Sequence, residues 1–488
     1  MENKLEIVKW INDPVYGGIG LTKIEMELID TPIFQRLRGL RQLARVNNVF
    51  PGAEHSRFVH SLGVLYIMGL MADHLLRRGD LNEDDVVKVR IAALLHDIGH
   101  YPLSHLGESA YGYVLDEKRG ASLVERNEEE RESNNEKTHL YVMASSHSKS
   151  AHHEQLGKYI VQNNVTISSI LKKHGLDPTE ISEIFTGEYG SRNTVYTQLL
   201  HSSLDADRLD YLLRDSFQTG VKYGLVDLQY LVRLLMVVDD KPNSLDKKKV
   251  LVCNKKGQHV VEHFLMSRYF HYSQVIFHKT NAAFEGMIRC LYIKLLQNNG
   301  FIFNSLNEIH ENVNKDSFLY FNDATLECAL KDQYLTTTDE EYKSLFEMYR
   351  DRIRPKTVFE AKDLYVESAR QEFATLKWML KREPERVSEI VGSDKWGYQI
   401  IEVKLERIHS HYGIQDRDID DEDLREAVKI YDTDTDKISY LAADRLSIIS
   451  KLSDFHSEFI RIYVLEEKEK NNDYEKMDKS IKVLSDEF

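Results

Sequence analysis

The apolar run from Val89 to Leu95 ends abruptly in His96-Asp97, with Gly99, His100, Pro102 and His105 close behind. Such a run reads as a buried helix that must stop there, because Gly frees the backbone and Pro lacks the amide hydrogen a helix needs. Consecutive imidazole and carboxylate side chains reach one cation only where the backbone turns, and this is such a place. Two further donors are on offer: His60 in Arg57-Phe58-Val59-His60-Ser61-Leu62-Gly63, and Asp207 in Asp205-Ala206-Asp207-Arg208-Leu209-Asp210-Tyr211. Taken singly, each would more often be a core or capping residue; in this order they form a candidate ligand set of His60, His96, Asp97 and Asp207. Its mixed chemistry suits a divalent metal, Fe, Mn, Zn, Ni or Co, with Mg where waters and phosphates complete the shell. A structural zinc site would be closed by Cys-rich ligands. Here Cys253, Cys290 and Cys328 show no CxxC spacing, so the set points to hydrolysis and the thiols to a reducing compartment.

Apolar residues recur at three and four over Leu62–Leu76, Val86–Leu95, Ile181–Phe185, Thr197–Leu213, Leu225–Val237 and Val260–Leu296. The fold class expected is mainly α, a helical core followed by a small α+β unit. The expected organisation is a core over residues 1–330, a helical extension over 331–390 and the α+β unit over 391–488, where short alternating runs begin. Between about 113 and 151 the periodicity fails in a stretch crowded with Glu, Arg, Asn, Lys and Ser, which reads as a charged insertion, either a surface loop or a flap over the site. The 488 residues carry 42% hydrophobic side chains, enough for a large core. No unbroken run of about 18 apolar residues and no signal-type leader is visible, so a cytoplasmic protein with no membrane contact is expected. A net charge of −15 disfavours general nucleic-acid binding, and an anionic substrate must be met by a focused Arg and Lys cluster.

Three segments carry a resemblance to a known family: Phe50 to Gly63, Leu95-His96-Asp97-Ile98-Gly99-His100-Tyr101-Pro102-Leu103-Ser104-His105, and Asp207 to Asp215. They resemble the HD-domain phosphohydrolases, named for the His-Asp pair, and within them the deoxynucleoside triphosphate triphosphohydrolases of the SAM-and-HD-domain group. The likeness runs from about Lys9 to Lys279, with an echo at Phe459 to Val464. It implies an HD-domain core and hydrolysis of a dNTP to deoxynucleoside and triphosphate. It also implies His105 as general acid with Glu108 as its carboxylate partner, and His100, His153 and Glu154 as the polar wall. Phosphate would be clamped by Arg57, Arg208 and Arg268 with the Tyr211 hydroxyl, and the 3′ hydroxyl read by Gln42 and Asp215.

The same resemblance assigns regulation to the N-terminal segment. Asp30-Thr31-Pro32-Ile33-Phe34-Gln35-Arg36-Leu37-Arg38 has an N-cap Thr, a Pro at the first helical position, and Gln35 and Arg38 three apart on one face. Asp, Gln and Arg suit the donor and acceptor edges of guanine. Lys9, Asn12, Asp30, Gln35 and Arg38, with His278 and Lys279, match a site for an activating GTP, dGTP or other dNTP in a homotetramer. Arg208 stands where the group has Lys. Tyr272, Ile276 and Phe277 replace its His, Tyr and Gln, and the lost Tyr bears on deoxyribose selection. Asn254 and Val260 depart from its second activator pocket. The alternatives are an HD phosphodiesterase or nucleotidase acting on another phosphate ester, and a nucleotide-sensing regulatory protein.

Overall fold

A computed structural model of the chain describes residues 4–118, 142–143, 152–191, 194–240, 248–366, 378, 380, 383–403, 427–444, 446–452 and 455–465. A hairpin of β1 (Ile7–Asp13) and β2 (Gly17–Thr22) opens the fold, followed by α1 (Lys23–Ile29), α2 (Pro32–Gln35), α3 (Arg57–Arg78), α4 (Glu83–Leu95) and α5 (His105–Lys118). After β3 (Val142–Met143) come α6 (His152–Asn163), α7 (Val165–Lys173), α8 (Pro178–Phe185), α9 (Thr194–Leu200), α10 (Ala206–Thr219) and α11 (Leu228–Arg233). Strands β4 (Leu235–Asp239) and β5 (Lys249–Asn254) precede α12 (Gln258–His271), α13 (Lys279–Gln297), α14 (Leu306–Asn312), α15 (Asp323–Thr336) and α16 (Glu340–Arg350). The remaining strands are β6 (Lys356–Val366), β7 (Trp396–Val403), β8 (Lys429–Asp432), β9 (Lys437–Tyr440) and β10 (Phe455–Val464), with short helices at Pro384–Val391 and Ile448–Leu452. The fold is mainly α, as expected, with two four-stranded sheets in the orders β3-β7-β10-β6 and β4-β5-β8-β9.

Helix α3 is the spine of the helical core. Phe58, Leu62, Val64, Leu65, Ile67, Met68, Met71, Ala72 and Leu75 are all buried in it, and Gly79 closes it in the left-handed conformation, φ 78°, which a residue without Cβ adopts freely. By length and composition α3 could cross a membrane, a property that a count of unbroken apolar runs does not register; here most of it is enclosed by the rest of the fold. Helix α4 packs beside it, started by a capping box between Asn82 and Asp85 and by Glu83, Asp84 and Asp85 in its first turn, where carboxylates face the positive end of the helix dipole. Its residues Val89, Ile91, Ala92, Ala93, Leu94 and Leu95 have no measurable exposure. The helix ends with His96 as its cap, so the His-Asp pair does sit where the backbone turns.

Several expected helices are interrupted. The stretch Thr197–Leu213 breaks at Ser202–Asp205, because the Asp205 carboxylate accepts from the amides of Ser202 (3.1 Å) and Arg208 (2.8 Å) and starts α10 afresh. That restart puts Asp207 in the first turn of α10. Leu225–Val237 yields only the short α11 before β4, whose Val237 and Val238 pair with Leu251 and Val250. Val260–Leu296 is broken by a π-helical turn at Tyr272–Ile276 and by His278, whose ring accepts from the Thr280 amide and caps α13. The helical extension expected over 331–390 contains β6. Glu360, Ala361 and Lys362 favour helix, but β6 pairs with β10 along its length, from Lys356↔Val464 to Val366↔Phe455, and tertiary pairing outweighs propensity. The segment expected as a helical extension thus shares a sheet with the last described strand. Helix α5 runs through the start of the expected insertion to Lys118; residues 119–141 and 144–151 lie outside the described residues, as does the charged tail from 466.

Candidate metal and catalytic site

The ends of α3, α4 and α10 bring four side chains together. The Nε2 atom of His60 lies 2.9 Å from Asp207 Oδ1 and 3.6 Å from Asp97 Oδ2, while His96 Nε2 lies 3.4 Å from Asp97 Oδ1 and 3.6 Å from Asp207 Oδ1. The Nδ1 atoms are spent elsewhere: His60 donates to Asp210 Oδ2 (2.8 Å) and His96 to the Ala93 carbonyl (2.8 Å). Both Nε2 atoms are buried and, among the described residues, lack a hydrogen-bond partner of proper geometry. Two orphaned imidazole nitrogens facing two carboxylates are a donor set that fits a divalent cation, and their Nδ1 bonds select the tautomer such a cation needs. The electrostatics agree. Burial alone would depress the His60 pKa, yet Asp207, Asp210 and Asp97 raise it to about 10, so this point favours positive charge. Asp97 is held well below the ordinary carboxylate range: burial opposes ionisation, and the Arg57 guanidinium with His96 and His100 overcomes it.

The turn that carries the chain from Asp97 to His105 is tightly braced. Leu103 and Ser104 both sit at positive φ, 60° and 55°, a region that costs residues with a Cβ and that persists only when the surroundings enforce it. The Leu103 amide donates to Asp323 Oδ1 (2.8 Å), the Ser104 hydroxyl to the Arg41 carbonyl (2.8 Å), and Arg57 Nε to Ser104 Oγ (3.0 Å). Buried Arg36 donates to the carbonyls of Ile98 (2.7 Å) and His100 (3.1 Å). At Gly99 a Cβ would lie 2.2 Å from the Gly157 amide nitrogen and the His153 carbonyl, so this backbone lets α6 come close enough to deliver His153.

There His105 Nδ1 (3.2 Å) and His153 Nδ1 (3.1 Å) both donate to Glu108 Oε2. Burial works to raise the Glu108 carboxyl, but these two histidines outweigh it and hold it far below its usual range. The same hydrogen bond raises His153 against the opposing effect of burial. His100 stacks on His153 at 4.1 Å, sits 5.1 Å from the His105 ring and 3.1 Å from Asp97 Oδ1. Burial, Arg57 and His153 together keep His100 far below the ordinary imidazole pKa. The His105 side chain is 68% exposed, the only one of these rings open to an incoming molecule. Glu154, next along α6, acts on His153 through its charge.

The expected substrate residues fall in three groups, around Tyr211, at Arg57 and around Asp215. Burial pushes the Tyr211 hydroxyl pKa up, helped by Tyr272 and Asp207 and opposed by Arg268 and Arg208, so all four surround it. Arg208 also bonds Asp205 and the Ser202 carbonyl, and Arg268 lies 6.0 Å over the Tyr272 ring. Arg57 is turned inward, with Nη1 on Asp97 Oδ2 at 2.7 Å. Asp215 is fully buried between His55 Nε2 (2.8 Å) and His271 Nε2 (2.9 Å), with His271 stacked on Tyr211. Gln42 lies beside His55, its backbone N–H donating to the His55 carbonyl (3.0 Å) and its side-chain Oε1 without a partner among the described residues. His55, His271, Asp210, Arg214 and Asp323 are not evident from motif reading. Only Asp210 and Arg214, four apart on one helix face, leave a local trace.

The expected regulatory residues lie on the surface. Lys9 and Asn12 are exposed on β1, Asp30 caps α1, and Thr31 caps α2 by accepting from the Phe34 amide. Gln35 Oε1 accepts from Arg38 Nε (2.7 Å), and Arg38 lies 3.6 Å over the Phe58 ring. Among the described residues no hydrogen bond, ion pair or ring contact joins this group to His278 or Lys279 at the start of α13.

Residues 57–215 match the HD domain model, a span that begins at Arg57 and ends at Asp215. The uncharacterized protein YwfO of Bacillus subtilis is 31% identical over 305 residues, covering 62% of this chain and 59% of that protein. A deoxynucleoside triphosphate triphosphohydrolase SAMHD1 homolog of Dictyostelium discoideum is 29% identical over 293 residues, 57% of this chain and 48% of its own length. The chain therefore spans about three fifths of the first relative and about half of the second. A phosphohydrolase crystal structure from Bacteroides thetaiotaomicron superposes with a TM-score of 0.64 at 25% identity, covering 93% of this chain and 99% of that one. The candidate ligands His60, His96, Asp97 and Asp207 all fall within the residues that match the HD domain model, and the chain is similar to a deoxynucleoside triphosphate triphosphohydrolase SAMHD1 homolog.

Proposed function

We propose that the chain is a metal-dependent phosphohydrolase that converts a deoxynucleoside triphosphate into deoxynucleoside and triphosphate. The observation that carries this reading is an exposed imidazole, His105, clamped by an ionised carboxylate one ring away from the ligand cluster. His60, His96, Asp97 and Asp207 would hold a divalent cation (Mn, Fe, Mg, Zn, Ni or Co), which when bound acidifies water and draws off phosphate charge. The remaining work falls to the protein. Water adds to the α-phosphorus as the bond from that atom to the 5′ oxygen breaks. The departing alkoxide is a poor leaving group and takes a proton from His105, which Glu108 orients. His100, His153 and Glu154 line this side of the site. Arg208, Arg268 and Tyr211 meet the phosphates, and Arg57 is shared between Asp97 and the α-phosphoryl oxygens. Asp215, immobilised by His55 and His271, accepts from the 3′ hydroxyl, which the Gln42 side chain also reads.

We infer further that Lys9, Asn12, Asp30, Gln35 and Arg38 bind an activating guanine nucleotide, and that assembly into a homotetramer brings His278 and Lys279 to it. The test is product analysis by ion-exchange chromatography with Mn or Mg present, each dNTP being supplied alone and paired with GTP. Deoxynucleoside plus intact triphosphate is the expected result, with turnover raised by GTP in the wild type and not in Arg38→Ala. Monophosphate or free phosphate would transfer the assignment to a phosphodiesterase or nucleotidase. No product under any pairing would favour a nucleotide sensor.

A further inference from the structure

The bond that orients His60 is the first link of a buried chain that ends at the N-terminal hairpin. Asp210 Oδ2 accepts from His60 Nδ1 (2.8 Å) and Arg214 Nε (2.9 Å), while Oδ1 accepts from Arg214 Nη2 (3.1 Å) and the Tyr16 hydroxyl (2.7 Å). Arg214 Nη1 then donates to Asp13 Oδ2 (2.8 Å), and Asp13 Oδ1 accepts from the amides of Val15 (2.9 Å) and Tyr16 (3.1 Å). Asp13 is the last residue of β1, and Tyr16 immediately precedes β2. Asp210 and Arg214 have no measurable exposure and Asp13 is 7% exposed, so water does not compete for these bonds. The charges nearly balance, with one guanidinium between two carboxylates and the second carboxylate turned to the imidazole.

The rest of the packing is shaped to this chain. A Cβ at Gly63 would fall 1.9 Å from Asp210 Oδ1 and 2.3 Å from Arg214 Nη2, so α3 approaches α10 at the one residue that leaves room for the pair. Tyr16 stacks on Tyr66 of α3 at 4.7 Å, and the Arg214 guanidinium lies 5.4 Å over the Tyr16 ring. Every hydrogen-bonding group on Asp210 is therefore committed, and the carboxylate cannot turn without breaking contacts to the hairpin.

We propose that the β1–β2 turn is a positioning element of the metal centre: Tyr16 and Asp13, through Asp210 and Arg214, fix the His60 imidazole and so set the affinity of the site for its cation. None of these four residues is placed among the ligands, and Tyr16 and Asp13 lie in a different part of the fold from all of them. Partners that orient a ligating imidazole through its other nitrogen alter metal affinity by about 10–100-fold when removed. The inference rests on the metal-site reading but not on the substrate, so its test uses no nucleotide.

The experiment is titration of the metal-stripped full-length protein with Mn(II), free Mn(II) being followed by electron paramagnetic resonance. Asp210→Asn keeps the shape but weakens the acceptor, and binding is expected to fall by roughly 10–100-fold. Tyr16→Phe removes only the remote hydroxyl and is expected to weaken binding about 10-fold, the lower end of that range. Tyr66→Phe, which retains the ring against which Tyr16 packs, is the control and should bind as the wild type does. Wild-type affinity in Tyr16→Phe, or equal weakening in Tyr66→Phe, overturns the proposal. Should Asp210→Asn fail to fold, Tyr16→Phe alone decides.

Discussion

His96→Ala is expected to release the cation and to lower turnover by about a thousandfold, with atomic emission showing the loss of metal. The magnitude follows from removing a Lewis acid worth several kcal/mol at tenfold per 1.36 kcal/mol. His96 is the cleanest ligand to remove because its other contact is a backbone carbonyl that the helix end can do without. Asp97→Ala should abolish turnover equally but at an added cost in stability. It strips the carboxylate from Arg57, which is 3% exposed, and a buried cation that loses its partner costs about 3 kcal/mol. The two variants should therefore share a kinetic phenotype and differ in melting temperature. Full activity in a chelator-treated sample that emission spectroscopy shows to be metal-free would end the metal-dependent reading.

The second large effect is expected from His105→Ala, a loss of about 10²- to 10⁴-fold in kcat, the usual worth of a positioned general acid, with metal content unchanged. The loss should depend on the leaving group. A nucleoside alkoxide needs the proton, whereas a p-nitrophenolate leaves without one, so a p-nitrophenyl phosphodiester should be cleaved nearly as well by the variant as by the wild type. Equal losses on both substrates would show that His105 is not the acid. Because Glu108 also holds His153, Glu108→Gln should disturb both histidines at once.

Gly63→Ala offers a check on the packing beneath the site. The added methyl group has no position clear of Asp210 and Arg214, so unfolding stability should drop by about 3 kcal/mol, the upper end of an overpacking cost. A chemical-denaturation midpoint unchanged from the wild type would mean that α3 and α10 can separate more freely than the close approach implies.

The candidate metal ligands were legible because the chain writes them as local punctuation: an apolar run that stops at His96-Asp97, and an Arg57-to-Gly63 segment that opens a long helix. The Thr31-Pro32 cap was legible for the same reason. What escaped was long-range. His55 and His271 meet on Asp215 from 160 and 56 residues away, and Asp323 reaches Leu103 across 220 residues. No periodicity records such meetings. The helix assignments failed where a strand pairing intervened, at β4 with the neighbouring β5 and at β6 with the distant β10, or where a side chain capped a new helix inside an apolar repeat, at Asp205 and His278. In each case the residues were locally compatible with helix, and a strand pairing or a side-chain cap decided.

The order β3-β7-β10-β6 has a bearing on how the chain is made. Strands β6 and β7 are joined only through β10, which lies 89 residues beyond the end of β6. At a synthesis rate of about 5–20 residues per second, β6 waits roughly 5 to 20 s on the ribosome with its pairing edge open. An unpaired edge of that kind is a template for other strands. Newly made chains should accordingly depend on chaperones until the last described strand emerges, and premature termination before Phe455 should send the product to aggregates.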